Sequence, residues 1–368
     1  MHVDAVRLVN FKAFRDLDLE MGALTLLSGL NGSGKSSVVQ ALGLLRQSND
    51  GGALAGGELL LNGPLVEIGT GKDLLHQYFE EQGVSIELGI RSGGKRTWSA
   101  AVSPDADVLS CSNSPGHDEI SELNLFRPGF NLLRADRIVP SVIFPRSRHA
   151  IANARTLGPR GEYTAHFLLA FGDEFRVAEL LRHASETGPT LNSQVNAWLR
   201  EFSPGVRVKS ANVSMTDMTR LEYSFQEGKS SFGEALRPTN VGFGLTHALP
   251  VVTACLAAQA GDLVVIENPE AQLHPRGQAA LGRLLALTAG NGAQVVVETH
   301  SDHVLNGIRL AVKEGRLRTP DVRLHFFSRH PGGSAYHVTP EINGDGRLSF
   351  WPEGFFDQWE RSLDALLA

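Results

Sequence analysis

The feature of this sequence that most limits its fold is a glycine-rich segment near the amino terminus. The pattern GxxxxGK[ST] is matched at every position by Gly29–Ser36, which reads GLNGSGKS. The segment follows a short apolar stretch typical of a buried strand, Leu24–Ser28, and opens a stretch with helical apolar spacing, Lys35–Arg46. In a strand, loop and helix of this kind, backbone N–H groups and the amino terminus of the helix surround phosphate oxygens.

This segment, called the P-loop below, predicts that the chain binds ATP and Mg²⁺. Lys35 is expected to reach the β- and γ-phosphates, and Ser36 to ligate Mg²⁺. The alternative, a glycine-rich turn that arose by chance, does not account for both the strand before the loop and the helix after it. The residues predicted to contact the nucleotide here are Asn31, Gly32, Ser33, Gly34, Lys35, Ser36 and Ser37.

Composition narrows the class of protein. Lys and Arg number 34 against 40 Asp and Glu, a net charge of −6, so any nucleic-acid binding needs a local basic patch. The two cysteines are far apart and form neither a disulfide framework nor a metal site. The first residues lack the apolar centre of a signal peptide, and the most apolar run, Leu249–Ala258, is too short to span a bilayer. We therefore expect a cytoplasmic protein with no membrane association.

The periodicity of apolar residues predicts an α/β chain with a different middle section. Alternation over 84–102 indicates a hairpin, and helical spacing over 165–202 indicates a helical lobe with one break. From Asn240 onward, strands and helices alternate, which is typical of a mostly parallel sheet. We expect one domain over 1–368, formed from 1–47 and 240–368, with antiparallel strands and a helical lobe at about 165–203 inserted in region 48–239.

A second group of polar residues lies at the ends of the later predicted strands. The apolar strand 263–266 ends in Glu267, which is expected to hold Mg²⁺, and Asn268 and Glu270 follow it. The next strand ends in 298–301, which contains His300. Upstream, the glycine loop 240–246 opens an apolar helix and predicts a second anion-binding helix terminus.

The order of these segments resembles the ATP-binding cassette superfamily, in its RecF/SMC/OLD-like branch. More closely, the chain is similar to prokaryotic AAA-labelled ATPases of the OLD-like branch. The segments that carry this resemblance are NVGFGLT at 240–246, IENPEAQLHP at 266–275, ETHSDH at 298–303 and WPEGFFD at 351–357. It covers essentially the whole chain and implies an ABC-type P-loop ATPase head with a mostly parallel central sheet, an antiparallel β subdomain and a short helical insertion.

The resemblance also implies a homodimer that is arranged head to tail around ATP. Each nucleotide would lie between the P-loop of one copy and the 242–246 loop of the other, with Gly242, Gly244 and Thr246 as contacts. His300 would match the switch histidine of the family. Asn10-Phe11-Lys12 matches the amino-terminal motif of RecF-like heads and would lie near the nucleotide, although an ordinary edge strand also explains it.

One position departs from the family pattern. Most members place a glutamate directly after the Mg²⁺-binding acid, where it orients the attacking water, but this chain has Asn268 there. An amide can position water but cannot accept a proton. Either Glu270 takes this part, or hydrolysis is slow and ATP acts mainly as a clamp between two heads. The candidate catalytic residues are Glu267, Asn268, Glu270 and His300.

Positive charge is concentrated between residues 127 and 160. The stretch holds a single acid, Asp136. It indicates either a patch for DNA phosphates or a set of solvated and loop-anchoring arginines, and the sequence leaves both open. The arginines are Arg127, Arg134, Arg137, Arg146, Arg148, Arg155 and Arg160.

The resemblance favours a nucleotide-driven switch that is DNA-associated or part of an anti-phage or mobile-element defence complex, with a separate effector protein. The alternative is the nucleotide-binding subunit of a membrane transporter, although the chain has no LSGGQ sequence and carries an insert of about 190 residues, 48–239, between Lys35 and Gly242. A small-molecule P-loop kinase is a third hypothesis, and it leaves the 242–246 loop without a purpose.

Overall fold

The computed structural model describes residues 1–77, 83–90, 93–228, 231–329, 333, 335–355 and 358–367. The last two residues of the WPEGFFD motif, Phe356 and Asp357, lie outside the described residues. The chain forms two compact units. We call Met1–Arg127 with Thr319–Ala368 the terminal unit, and Pro128–Arg318 the central unit.

The strands, in chain order, are β1 (Val3–Phe11), β2 (Phe14–Glu20), β3 (Leu24–Gly29), β4 (Glu58–Leu60), β5 (Gly83–Ile90), β6 (Gly94–Ala101), β7 (Val108–Asn113), β8 (Asn131–Leu133), β9 (Phe144–Pro145), β10 (Val206–Asn212), β11 (Met218–Phe225), β12 (Leu263–Glu267), β13 (Gln294–Glu298), β14 (Val322–Arg329) and β15 (Ala335–Val338). The helices are α1 (Lys35–Asp50), α2 (Gly71–Leu74), α3 (His117–Ile120), α4 (Thr164–Phe171), α5 (Leu191–Phe202), α6 (Phe243–Ala257), α7 (Pro275–Gly290), α8 (Asp302–Lys313) and α9 (Gln358–Leu367).

The terminal unit combines an antiparallel sheet with a parallel pair of strands. The antiparallel sheet has the order β2-β1-β5-β6-β7-β4, and β5 and β6 form the predicted hairpin. β3 pairs in parallel with β14, which pairs on its other side with antiparallel β15. Every residue of β3 is buried, as expected for a strand covered on both faces, and the P-loop joins its end to α1.

The central unit is built around three parallel strands. β12 lies between β13 and the short β8, and all three run in the same direction. α7 and α8 approach each other closely at two glycines: a Cβ on Gly282 would lie 2.1 Å from the carbonyl oxygen of Val304, and one on Gly307 equally close to that of Ala279. A second, antiparallel sheet has the order β10-β11-β9. The α/β fold with a mostly parallel sheet and an antiparallel β part is confirmed.

One prediction of the sequence, the helical pattern around residue 180, needs correction. The helical spacing at Val177 and Leu180–Leu181 does not continue a helix, because the segment folds back: the N–H of Val177 donates to the carbonyl of Pro189, and only a 3₁₀ turn forms at Glu179–Leu181. Residues of the predicted insert, 48–239, lie in both compact units, and β5 from this region pairs directly with β1.

In the described part of the chain, no helix combines the length and the apolar character needed to cross a bilayer. Within those same residues, no three His, Cys, Asp or Glu side chains gather at a spacing that could hold a metal ion without help from other ligands.

Candidate active site

The P-loop has the backbone geometry of an anion cradle. Gly32 and Gly34 have φ values of +73° and +100°, which side-chain-bearing residues rarely adopt, and a Cβ on Gly34 would lie 2.6 Å from the Phe14 ring. Gly34 is also the residue that precedes α1, and it offers no side-chain oxygen to the first N–H groups of the helix. The start of α1 is therefore suited to receive an oxyanion.

Lys35 is buried and folds back over its own loop. Its Nζ donates hydrogen bonds to the carbonyl oxygens of Gly29, at 3.0 Å, and Leu30, at 2.8 Å. These two bonds hold the ammonium group at the loop. A phosphate oxygen placed in the loop could accept a charge-assisted hydrogen bond from it.

A cavity of about 640 Å³ lies beside the P-loop. Among the described residues, its wall carries four cationic side chains, Lys12, Lys35, Lys72 and Arg329, against the single carboxylate of Asp73. This excess of positive charge suits a triphosphate. The predicted contact residues on the wall are Gly32, Gly34, Lys35, Ser36 and Ser37, whereas Asn31 is exposed on the loop and Ser33 is buried away from the wall.

The structure also brings the Asn10-Phe11-Lys12 segment to this cavity. The N–H of Lys12 donates to the carbonyl of Leu74, and the N–H of His76 donates to that of Asn10, so the end of β1 is tied to the segment after α2. His76 and Gln77 line the cavity as a result. They and Lys72 belong to no motif in the sequence, and only the pairing of this segment with β1 brings them to the P-loop.

In the central unit, Glu267 lies at the carboxyl end of β12. Its Oε2 accepts a 2.9 Å hydrogen bond from the N–H of Ala135, which follows β8. Burial raises the pKa of Glu267, and the Ala135 bond and the charge of Arg134 oppose that effect. A partly desolvated carboxylate of this kind gains stability from a nearby cation, which fits the predicted contact with Mg²⁺.

Asn268 follows Glu267 in a left-handed backbone conformation, with φ of +43°. Its N–H donates to the carbonyl of Glu298, and its carbonyl accepts from Arg137. Asparagine tolerates this conformation better than most residues that carry a side chain, including glutamate. The backbone therefore gives a physical reason for the departure from the family pattern at this position.

Glu270 and His300 meet at the carboxyl ends of β12 and β13. Oε1 of Glu270 accepts a 2.7 Å hydrogen bond from the backbone N–H of His300, whose side chain is exposed. The other oxygen, Oε2, is buried and has no hydrogen-bond partner among the described residues. The structure thus brings together all four predicted catalytic residues, Glu267, Asn268, Glu270 and His300.

The 242–246 loop contains one exposed glycine and two residues with structural partners. Gly242 precedes α6 and is exposed, with nothing within 4 Å of where its Cβ would be. A Cβ on Gly244 would lie 2.5 Å from the carbonyl oxygen of Gln272, so this glycine is required by packing. Thr246 is buried, and its hydroxyl lies beside the phenol of Tyr223, so we leave it out of the proposed nucleotide contacts.

Three family models match the chain. Residues 1–87 match the "AAA ATPase domain" family, and residues 139–306 match "AAA domain, putative AbiEii toxin, Type IV TA system". Residues 317–366 match a family described as a protein of unknown function. The DNA replication and repair protein RecF of Corynebacterium jeikeium (strain K411) is 33% identical over 81 residues, which are 20% of this chain and 19% of that protein. The chain thus matches about a fifth of the length of this curated relative.

Two solved structures of SMC heads share the fold over nearly the whole chain. A SmcHead bound to the C-winged helix domain of ScpA has a TM-score of 0.56 at 13% identity, over 93% of this chain and 98% of that one. A Smc head domain with an extended coiled coil, bound to the C-terminal domain of ScpA derived from Pyrococcus furiosus, has a TM-score of 0.53 at 12% identity over 100% of both chains.

The family models matched over 1–87 and 139–306, the RecF relative and the shared SMC-head fold together support an ABC-type ATPase of the RecF/SMC branch. None of these matches is to a transporter subunit, so the transporter alternative has no support from them.

The arginine stretch of this chain does not form one uniform patch. Arg137 is 2% exposed and donates to main-chain carbonyls of Arg134, Glu267 and Asn268, so for this residue the loop-anchoring alternative fits. The other arginines keep solvent access to different degrees. Arg155 pairs with Asp262 at 2.6 Å, Arg134 and Arg160 pair with Asp136, Arg127 pairs with Glu122, and Arg146 and Arg148 are exposed.

Proposed function

We propose that this ABC-type ATPase binds ATP and Mg²⁺ at the P-loop cavity, hydrolyses ATP slowly, and works as a nucleotide-driven switch. The observation that carries the proposal is the placement of the buried Lys35 ammonium in a loop whose glycines have positive φ, on the wall of a cavity with four cationic side chains and one carboxylate among the described residues. Residues 1–47 and 240–368 supply the nucleotide-binding parts of one head in this proposal.

Different residues of the chain bind the phosphates and Mg²⁺ in this proposal. The amides at the start of α1 and the Lys35 ammonium hold the β- and γ-phosphates, and the Ser36 hydroxyl and Glu267 carboxylate hold Mg²⁺. When bound, Mg²⁺ neutralises part of the phosphate charge. Lys12 and Lys72 add positive charge to the cavity wall.

Slow hydrolysis follows from the residues at the end of β12. Asn268 can orient a water molecule but cannot take its proton. Glu270 can take it through Oε2, because Oε1 is already used by the His300 N–H. We therefore assign the water-positioning part to Glu270, with His300 held next to it.

We further propose that two copies pair head to tail around ATP. Gly242 and Phe243 lie exposed at the start of α6, and Phe243 is 54% exposed. A helix terminus without a capping side chain beside an exposed aromatic ring suits contact with a nucleotide and a second surface. In such a pair, Gly242 and the residues next to it would face the nucleotide held by the other copy.

The switch acts on a separate effector protein, on DNA, or on both. The SMC heads of the matched structures are bound to domains of ScpA, which supports a protein partner for a head of this fold. The family description that names AbiEii toxin and a type IV TA system supports a part in defence against phages or mobile elements. Exposed Arg146 and Arg148 support contact with DNA phosphates, and the RecF relative is a DNA repair protein.

The P-loop assignment is tested with the Lys35→Ala variant. We expect it to lose binding of a fluorescent ATP analogue and all phosphate release, because the buried ammonium is the main charge facing the phosphates. The matched control is Lys313→Ala, an exposed lysine in the last turn of α8, which should bind as the wild type does. Tight nucleotide binding by Lys35→Ala would remove the proposal.

A further inference from the structure

Arg137 is a buried cation whose hydrogen bonds all go to main-chain carbonyls among the described residues. Nη1 donates to the carbonyl oxygens of Glu267, at 2.8 Å, and Arg134, at 3.3 Å, and Nη2 donates to that of Asn268. Burial lowers the pKa of Arg137 to about 10, while the nearby Glu270 and Glu267 carboxylates oppose this, so it remains charged at neutral pH. Burying a guanidinium costs free energy because the charge loses its hydration, so we expect a specific role for this group in the structure around it.

The guanidinium fixes one particular turn. Its two amino groups donate to the carbonyl oxygens of Glu267 and Asn268, which lie before and after the Asn268 Cα, where φ is +43°. A planar fork can orient two acceptors at once, which a lysine ammonium does less rigidly. The direction in which Glu267 and Glu270 leave this turn therefore depends on Arg137.

Several polar atoms around Arg137 are buried and have no hydrogen-bond partner among the described residues. They are Nε of Arg137, Oδ1 of Asn268, Oε2 of Glu270, and both ring nitrogens of His247. Buried polar atoms in folded proteins almost always have partners, and clusters of exceptions mark sites of water or functional chemistry. These atoms come from the turn after β8, the turn after β12, and α6.

His247 connects this cluster to the 242–246 loop. It lies one helical turn after Phe243, and the two rings meet edge to face at 6.1 Å between centroids. Burial and, after it, the charge of Arg137 lower the pKa of His247. The ring contact with Phe243 thus links the start of α6 to a histidine that the Arg137 charge reaches and whose two ring nitrogens belong to this group of buried polar atoms.

We propose that Arg137 is a positioning residue that holds the Glu267–Glu270 turn in its working geometry, and that His247 couples Arg137 to the loop at Gly242. This inference rests on the proposed function, since that loop is there assigned to the nucleotide of a second copy. Closure of a second head on Gly242 and Phe243 would then adjust Glu270 through His247 and Arg137. Arg137 itself touches no nucleotide and acts through the two glutamates.

The first test compares Arg137→Lys, which keeps the charge and removes the fork, with Arg160→Lys, the same change at an exposed arginine. We expect the first variant to lower kcat by about tenfold or more, while KM and the Kd of a fluorescent ATP analogue change by less than about twofold. The control should match the wild type. An Arg137→Lys variant with wild-type kcat, or one whose loss lies in Kd, overturns the inference.

The second test uses His247→Phe, which keeps an aromatic ring against Phe243 and removes both nitrogens. This variant also tests the inference if Arg137→Lys does not fold. We expect kcat to fall by about threefold or more with an unchanged melting temperature, and the double variant to be no slower than Arg137→Lys alone, because both residues act on the same turn after β12. Effects that multiply, or a wild-type kcat for His247→Phe, overturn the coupling.

Different results would overturn the Arg137 inference and the proposed function. A wild-type chain that binds and hydrolyses ATP, with an Arg137→Lys variant of equal kcat, overturns this inference and leaves the proposed function intact. A wild-type chain that binds no ATP overturns the proposed function and the inference with it.

Discussion

The backbone N–H of His300 donates a 2.7 Å hydrogen bond to Oε1 of Glu270. The bond joins the segments that follow two neighbouring parallel strands, β12 and β13. It holds the Glu270 carboxylate by one oxygen and leaves the other buried without a partner among the described residues. A change of the Glu270 side chain therefore also alters what holds the His300 backbone, and Glu270 is a suitable residue at which to perturb turnover without removing a P-loop contact.

Glu270→Gln is expected to trap an ATP-bound dimer. The amide oxygen of glutamine can still accept from the His300 N–H, so the local structure is kept, but the side chain cannot take a proton. Phosphate release should fall by about a hundredfold, the lower end of the range for a lost general base. Light scattering after gel filtration with ATP should show a dimer, and unchanged turnover would exclude Glu270 as the water-positioning residue.

We expect the left-handed backbone conformation of Asn268 to determine how substitutions at this position affect stability. Asn268→Ala should destabilise the protein by about 1 kcal/mol relative to Asn268→Gly, because alanine pays for a φ of +43° and glycine does not. Urea unfolding of the two variants measures this difference. Equal free energies of unfolding would show that the turn relaxes when its side chain is removed.

Two glycines of the same loop should respond differently to alanine. Gly244→Ala should lower the free energy of unfolding by about 1–3 kcal/mol, because its Cβ would lie 2.5 Å from the carbonyl oxygen of Gln272. Gly242→Ala has open space around it and should leave stability within about 0.5 kcal/mol while it weakens the ATP-dependent dimer. A stable Gly244→Ala protein, or a Gly242→Ala protein with normal dimerisation, contradicts the respective assignment.

Charge reversal at Arg146 and Arg148 is expected to weaken DNA binding. The slope of log affinity against log salt concentration is negative, and each lost phosphate contact reduces its magnitude by about 0.9. The magnitude of the slope for the double variant should therefore be smaller by up to about 2. The control is the double reversal of Lys313 and Arg316, two exposed cations with the same total charge change. Fluorescence anisotropy with labelled duplex DNA at several salt concentrations decides, and equal losses in both double variants would indicate only a general charge effect.

The stability of the terminal unit should fall in mild acid because of His325. This side chain is 1% exposed, with Nε2 bonded to the Glu20 carbonyl and Nδ1 to the Thr339 hydroxyl. Burial first, and then the nearby His337 and Arg323, lower the pKa of His325 to about 4. The unfolded chain, with a pKa of about 6.5, binds a proton that the folded chain does not, so stability is present above pH 6.5 and lost as the pH falls toward 4.

The size of this effect follows from the same pKa values. Between pH 7.5 and pH 5, His325 should remove about 2 kcal/mol from the free energy of unfolding. His325→Gln keeps a donor for the Glu20 carbonyl and does not titrate, so its stability should vary less over this range. Urea unfolding at three pH values gives the comparison, and identical pH dependence in both proteins would assign the acid sensitivity to other groups.

The residues next to a motif could be predicted from the sequence, and those brought in by tertiary pairing could not. Glu267 and His300 were found because a strand that ends in a polar residue is visible in the sequence. For Arg137, a phosphate patch and a loop-anchoring part were both left open, because nothing in the sequence around this arginine shows that it is buried. Its place depends on β8, a strand of three residues that is too short to show a periodicity.

Tertiary packing that the sequence does not show also explains why the helical pattern near Leu181 was misleading and why Thr246 is buried. The spacing at Val177 and Leu180–Leu181 satisfied a helical pattern, yet Val177 and Leu181 reach the core from a segment that pairs back toward Pro189. Thr246 follows a glycine loop in the sequence, but its place on α6 turns it toward Tyr223. Burial of this kind depends on what packs opposite, which a single sequence does not record.

By itself, the sequence determined that a phosphate cradle opens α1, that acidic and histidine residues end the later strands, and that the sheet is mostly parallel. These features are local, because loop conformation, strand ends and apolar periodicity depend on residues close together in the chain. Only the tertiary structure decided that Lys12, Lys72 and His76 share the P-loop cavity, and that Arg137 holds the turn after Glu267. Those placements are set by hydrogen bonds between segments far apart in the sequence, whose free energy appears only when the strands pair.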